Sequence, residues 1–126
     1  MKKYKKFITA VFCIVLILII SVSILMFYTV KKAKNLSIIT PNMTEISDGE
    51  YIGEYSITPV YVKVNVTVKN HKIINIEILQ HDNGLGSPAE NITDDIIDTQ
   101  SLEVDAVSGA TVSSNCILKA IENAIE

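Results

Sequence analysis

Residues 7–30 form an uncharged, predominantly apolar run of 24 residues, and that run decides how the rest of the chain is read. As a helix it would extend about 36 Å, enough for a hydrocarbon layer of roughly 30 Å. Lys2, Lys3, Lys5 and Lys6 resemble the basic start of a secretory signal, but such a signal has an apolar core of only about 7–15 residues. The length therefore favours a retained anchor. Lysines flank both ends, four before the run and three after it, so the positive-inside rule gives only a slight bias. A signal-anchor with so short a leading tail commonly keeps the tail inside and exports the remainder. The expectation is a cytoplasmic tail over residues 1–6, a transmembrane anchor over 7–30, a linker over 31–47 and an extracytoplasmic domain over 48–126.

All fourteen acidic residues lie from Glu45 onward; against them stand four lysines after residue 35, a net of −10 for that part. So acidic a domain repels phosphate backbones, which argues against a nucleic-acid partner. Cys13 lies in the apolar run and Cys116 near the end, so no disulfide framework is implied. Neither a C-x-x-C dithiol nor a cluster with zinc-ligand spacing occurs. Redox chemistry in this domain would need a borrowed cofactor. The linker mixes Lys, Asn, Ser, Thr and Pro41 without helical or strand period. Its Asn35 and Asn42, with Asn65 and Asn91 beyond, open formal glycosylation triplets that are read as chance matches in an Asn-rich chain.

The folded part opens at Asp48-Gly49 with a turn, followed by a strand over residues 51–57 that carries Gly53 in its middle. Val60, Val62, Val64, Val66 and Val68 alternate with polar residues, the period of two that puts one face on a core. After a polar break at Asn70-His71, Ile74, Ile76 and Ile78 repeat the alternation, which predicts a hairpin with His71 as a solvated tip residue. His81 and the glycines at Gly84 and Gly86 end the sheet segment; the glycines can supply a positive-φ turn or a close backbone approach, and no role is assigned to any of the three. Ser87-Pro88-Ala89-Glu90 fits a helix start with Ser87 as cap. Ile92, Ile96 and Ile97 would form its apolar stripe, with Asp94, Asp95 and Asp98 in water. Residues 103–107 read as extended, and Ser113 or Ser114 can cap a last helix whose Ile117, Ile121, Ala124 and Ile125 share a face. Cys116 is read as a quiet residue of that helix. The fold class is α+β: a small antiparallel sheet with packed helices, preceded by one transmembrane helix.

The search for chemistry eliminates more than it finds. Ser108 lacks a G-x-S-x-G elbow, and only His71 and His81 could act as a histidine base for it. No P-loop and no G-x-G-x-x-G after a strand is present. What stands out is the small-residue stretch from Asp105 to Thr111, set just before a helix. A helix N-terminus offers unpaired N–H groups and partial positive charge, so a phosphate near Thr111 would be stabilised there. Any Ser/Gly-rich turn before a helix shares that property, including one that simply carries a Ser or Thr cap.

Asp105-x-x-Ser108-Gly109-Ala110-Thr111 resembles the D-x-x-S-G-A-T motif of the FMN-binding domain family, which includes the flavin-bearing peripheral subunits of ion-pumping respiratory complexes. The likeness extends over about the last 80 residues: Asp48-Gly49-x-Tyr51-x-Gly53 is similar to the family's opening, the Val-rich hairpin to its middle and Gln100-Ser101 to its lead-in. The resemblance implies that Thr111 carries FMN covalently through a phosphoester, installed by a separate flavin transferase using FAD and a divalent metal. Asp105, Ser108, Gly109 and Ala110 would be the recognised surroundings. A threonine hydroxyl is a poor nucleophile without an adjacent base, and nothing near it in sequence except Asp105 provides one, so activation falls to the transferase. The expected function is a membrane-anchored extracytoplasmic electron carrier, working between a membrane electron donor and an extracytoplasmic acceptor. The alternatives are a membrane-anchored binding or sensing module without flavin, and a hydrolase using Ser108.

Overall fold

The computed structural model describes residues 2–82 and 86–126. A single helix, α1 (Lys2–Lys34), is followed by three strands, β1 (Gly49–Ile57), β2 (Val60–Lys69) and β3 (Lys72–Asp82), and then by α2 (Ile92–Thr99) and α3 (Thr111–Ile125). The strands form one antiparallel sheet in the order β1-β2-β3. This is the α+β class with a small antiparallel sheet. The helix α1 is long and apolar enough to cross a membrane, and its apolar side chains, Ile8, Leu16 and Leu25 among them, stand exposed.

The sheet has one dry face, because the valines of β2 all point the same way. Val60, Val62, Val64, Val66 and Val68 are buried under α3. Burying a valine fully stabilises by roughly 1.5–3 kcal/mol, so this stripe is a large part of what holds the domain. Ile117, Ile121 and Ile125 of α3 meet it, with Leu118 beside them. Gly53 lets α3 come down onto β1: a Cβ there would collide with the Ala120 carbonyl oxygen and the Ala124 amide nitrogen. The β1–β2 turn is Thr58-Pro59 with a cis peptide bond, and the β2–β3 turn is Asn70-His71, both at positive φ as a two-residue hairpin turn of the primed kind requires.

In β3 the face assignment differs from the sequence expectation. The register against β2 slips twice, between Lys63 and Val64 and between Thr67 and Val68, so Ile74 and Leu79 have no partner of their own. An extra residue in one strand reverses which side chains face inward beyond it. Ile73 and Ile76 therefore reach the core, whereas Ile74 is 50% exposed. The slip between Lys63 and Val64 also turns His81, opposite Val62, toward the dry face, and its side chain is only 2% exposed.

The two later helices begin differently from the sequence reading. Ser87 caps nothing. Residues Ser87–Asn91 form a 3-10 turn that starts after Gly86, at φ −87° rather than positive φ, with Pro88 in its first positions. Glu90 does not fold back on a cap; its Oε1 accepts from His81 Nδ1 at 2.9 Å. Gly84 lies outside the described residues. Ser113 and Ser114 are not caps either, because α3 opens at Thr111 and both serines are buried inside its first turn. Residues 103–107 have no partner strand among the described residues. Ile92 and Ile96 are buried and Asp94, Asp95 and Asp98 exposed, which is the stripe expected of α2.

Gln100, at φ 55°, ends α2 and uses its side-chain amide as a substitute peptide group. It accepts from the Ile73 amide at 2.9 Å and donates to the Ile73 carbonyl at 2.8 Å and to the Ile97 carbonyl at 2.7 Å. The helix is thereby stitched to the outer edge of β3.

The stretch expected to be a linker lies against the domain. The last turn of α1 runs through Lys34, and Ala33 is fully buried with its carbonyl accepting from Asn115 Nδ2 at 2.9 Å. Leu36, Ile38, Met43 and Ile46 pack on the core. The Thr40 hydroxyl accepts from the Leu102 amide at 2.9 Å, and His71 Nδ1 lies 3.2 Å from the carbonyls of both Met43 and Ile46. His71 is thus an exposed tip residue that also holds this stretch down.

Candidate functional site

Thr111 is the first residue of α3, and the chain reaches it through a tight turn. The Ala110 amide donates to the Val107 carbonyl at 2.9 Å, which closes a four-residue turn with Gly109 third. Gly109 sits at φ +79°, the left-handed value a type II turn requires at that position, and a Cβ there would meet nothing within 4 Å. From inside, the Ser114 hydroxyl donates to the Ala110 carbonyl at 2.8 Å and accepts from the Val107 amide at 2.9 Å. The turn is therefore held by a buried serine, leaving its outer side open.

The helix start is uncapped. The residue before α3 is Ala110, whose side chain accepts nothing, where Ser, Thr, Asp or Asn would ordinarily stand. The first backbone bond of the helix is from the Ser114 amide to the Ala110 carbonyl, so the amides of Thr111, Val112 and Ser113 precede the intrahelical ladder. Three N–H groups and the positive end of the helix dipole are left for an anion. A turn that merely carried a Ser or Thr cap would have used at least one of them. The Thr111 hydroxyl is half-buried and makes no hydrogen bond among the described residues.

Beside this helix start lies a groove of about 500 Å³. Its floor is Gly109 to Ser113; one side is the β1–β2 turn at Pro59 and Val60, another is Asp82 with Gly86, and the last is Met26, Thr29 and Val30 of α1. Pockets for ligands of FMN's size fall between about 300 and 1,000 Å³ and combine apolar walls with a few polar anchors. The residues fit such a ligand: uncapped amides at one end for a phosphate, apolar side chains at the other for an aromatic ring.

Of the residues singled out in the sequence, Gly109, Ala110 and Thr111 line the groove, while Asp105 and Ser108 are exposed and stand outside its lining. Neither Asp105 nor Ser108 makes a side-chain hydrogen bond among the described residues, so Asp105 does not brace the turn and Ser108 has no base. Gly86, to which the sequence assigns no role, belongs to the groove. The walls from α1 and Pro59 carry no motif in the sequence. Thr29, a hydroxyl residue near the end of the apolar run, is the sequence signal for the wall from α1.

Cys116 lies one turn further along α3. It is fully buried, and desolvation pushes its thiol up to about 11, against smaller opposing effects from the Ile57 backbone and the Lys32 charge. It is chemically quiet. Tyr61, on the sheet's wet side, donates to Glu54 Oε2 at 2.7 Å, and that hydrogen bond raises its pKa.

A sheet covered by α3, with an uncapped helix start opening on a groove, places unpaired backbone amides beside apolar walls. The model of the FMN-binding domain family matches residues 58–126, more than half of the chain. The chain belongs to that family, and FMN is the cofactor that membership assigns to it. The match begins at the β1–β2 turn, after the Asp48 to Gly53 opening. Among relatives, the NADH:acrylate oxidoreductase of Vibrio harveyi is 39% identical over 66 residues, 50% of this chain and 7% of that protein. The chain therefore spans a small fraction of the length of the relative it matches.

Proposed function

We propose that this chain is a membrane-anchored, extracytoplasmic electron carrier whose FMN is joined by a phosphoester to Thr111. The observation that carries the reading is the Thr111 hydroxyl, free of hydrogen bonds among the described residues, at an uncapped helix start that opens on the groove. The helix amides would hold the phosphate, the Gly109 turn would give a modifying enzyme close access, and the apolar walls would enclose the ring. When bound, FMN supplies reversible one- and two-electron chemistry, and the protein's part is to position it and set its surroundings.

Attachment is the work of a separate flavin transferase drawing on FAD and a divalent metal. The site itself supports this division, since among the described residues no side chain is hydrogen-bonded to Thr111 to activate it. Asp105 and Ser108, exposed on the outer side of the turn, would be read by that enzyme rather than touch the bound cofactor. The apolar helix α1 would anchor the domain, with the lysine-bearing N-terminal tail inside. A covalent tether suits a location outside the cell membrane, where free FMN would diffuse away. The relative's name denotes a redox enzyme of much greater length; this shorter chain would pass electrons from a membrane donor to an external acceptor and leave substrate chemistry to its partners.

The test is denaturing electrophoresis of the full chain from cells that contain the transferase. Flavin fluorescence should travel with the polypeptide and vanish in Thr111→Ala. A colourless wild-type band would instead support a flavin-free binding or sensing module.

A further inference from the structure

The groove is not built by the FMN-binding domain alone. Met26, Thr29 and Val30 belong to α1, and they form the side of the groove that faces the domain. We propose that the membrane helix is part of the cofactor site, its last apolar turn forming the wall against which the flavin ring lies, so that the ring is held at the boundary between acyl chains and headgroups. This rests on the reading that FMN is attached at Thr111.

Three observations carry the proposal. First, depth: α1 is unbroken from Lys2 to Lys34, Val30 is the last residue of the uncharged run, and Lys31, Lys32 and Lys34 follow at once. Lysines at the end of a span sit at headgroup level, and Met26, four residues earlier, lies about 6 Å deeper. The groove therefore straddles that level. Second, rigidity: Ala33 is fully buried, its carbonyl accepts from Asn115 Nδ2 at 2.9 Å, and Thr29 is buried as well. The same face of the helix that lines the groove is clamped to α3, so the wall keeps its place.

Third, chemistry: the Thr29 hydroxyl is spent on the Leu25 carbonyl at 2.9 Å, which leaves the α1 side of the groove without a free polar group. The opposite side has the uncapped amides of α3. A groove polar at one end and apolar at the other matches a ligand with a phosphate at one end and an aromatic ring at the other. The orientation follows: phosphate on α3, ring toward α1.

The experiment uses the full chain, loaded with flavin in cells and reconstituted in phosphatidylcholine vesicles. Tryptophan quenches flavin emission on contact. Val30→Trp and Met26→Trp should therefore each dim the bound flavin about threefold or more relative to Ile24→Trp, which points away from the groove on the same helix. Lipids spin-labelled near the headgroup should quench the wild-type flavin at least about twofold more than lipids labelled at the chain end, as expected for a ring at the edge of a hydrocarbon layer roughly 30 Å thick. Equal emission from all three tryptophan variants, with quenching by aqueous iodide and not by labelled lipid, would overturn the inference while leaving the attachment intact. A chain that carries no flavin at all would sink the proposed function and this inference with it.

Discussion

The Val107 amide donates to the hydroxyl of Ser114, seven residues later, at 2.9 Å, and the same hydroxyl donates to the Ala110 carbonyl at 2.8 Å. One buried side chain thus fixes both ends of the turn that delivers Thr111. Ser114→Ala removes both bonds and should cost about 1–3 kcal/mol, chiefly because the partly buried Val107 amide is left unsatisfied, while the Ala110 carbonyl keeps its bond from the Ser114 amide. Denaturant unfolding measures that cost. The same variant should take up less flavin than wild type although Thr111 is untouched, because the acceptor is no longer held in one geometry.

Gly53 and Gly109 are both intolerant of a side chain, for opposite reasons. At Gly53 the backbone is ordinary but a Cβ would run into the Ala120 carbonyl and the Ala124 amide. Gly53→Ala should push α3 off β1 and destabilise by about 1–3 kcal/mol or more. Gly109 has open space around it but a φ of +79°, so Gly109→Ala should cost about 1–2 kcal/mol and Gly109→Asn less, as Asn visits that region readily. Thermal denaturation of these three variants beside Gly53→Asn distinguishes the two causes: Asn recovers stability relative to Ala only at position 109.

Much of this was legible in the sequence, and the exceptions share a cause. The strict alternation of Val60 to Val68 identified β2 because every one of those positions faces the core. In β3 the alternation of Ile74, Ile76 and Ile78 misled, because a bulge is a property of two strands paired together and leaves no mark on one of them. The same bulging hid the inward turn of His81 and its pairing with Glu90. Likewise Ser113 and Ser114 have the composition of a cap, yet the helix starts earlier, at Thr111, and the preceding turn uses Ser114 from within. Of the motif from Asp105 to Thr111, Gly109, Ala110 and Thr111 line the groove and Asp105 and Ser108 do not, and the wall contributed by α1 depends on a contact between segments more than 80 residues apart, as the Ala33 to Asn115 bond illustrates. No local pattern encodes that.

The buried Cys116 thiol makes a prediction about pH. Its pKa stands at about 11 in the folded chain against 9.0 for an exposed thiol. Below the lower value both states hold the proton; between the two, the unfolded chain loses it and the folded chain keeps it. Stability should therefore fall as pH rises from 9.0 to about 11, with no further contribution above. In a Cys13→Ala background, a thiol reagent at pH 8 should label Cys116 only after denaturation, and Cys116→Ala should flatten the alkaline part of the stability curve.

The most direct test of the central claim is the intact mass of the chain co-expressed with a flavin transferase, measured beside Thr111→Ala. FMN joined with loss of water should add about 440 Da to the unmutated chain and nothing to the variant. The same added mass on both proteins relative to their own sequences, whether both carry FMN or neither does, would contradict the reading of Thr111 as the flavin attachment site.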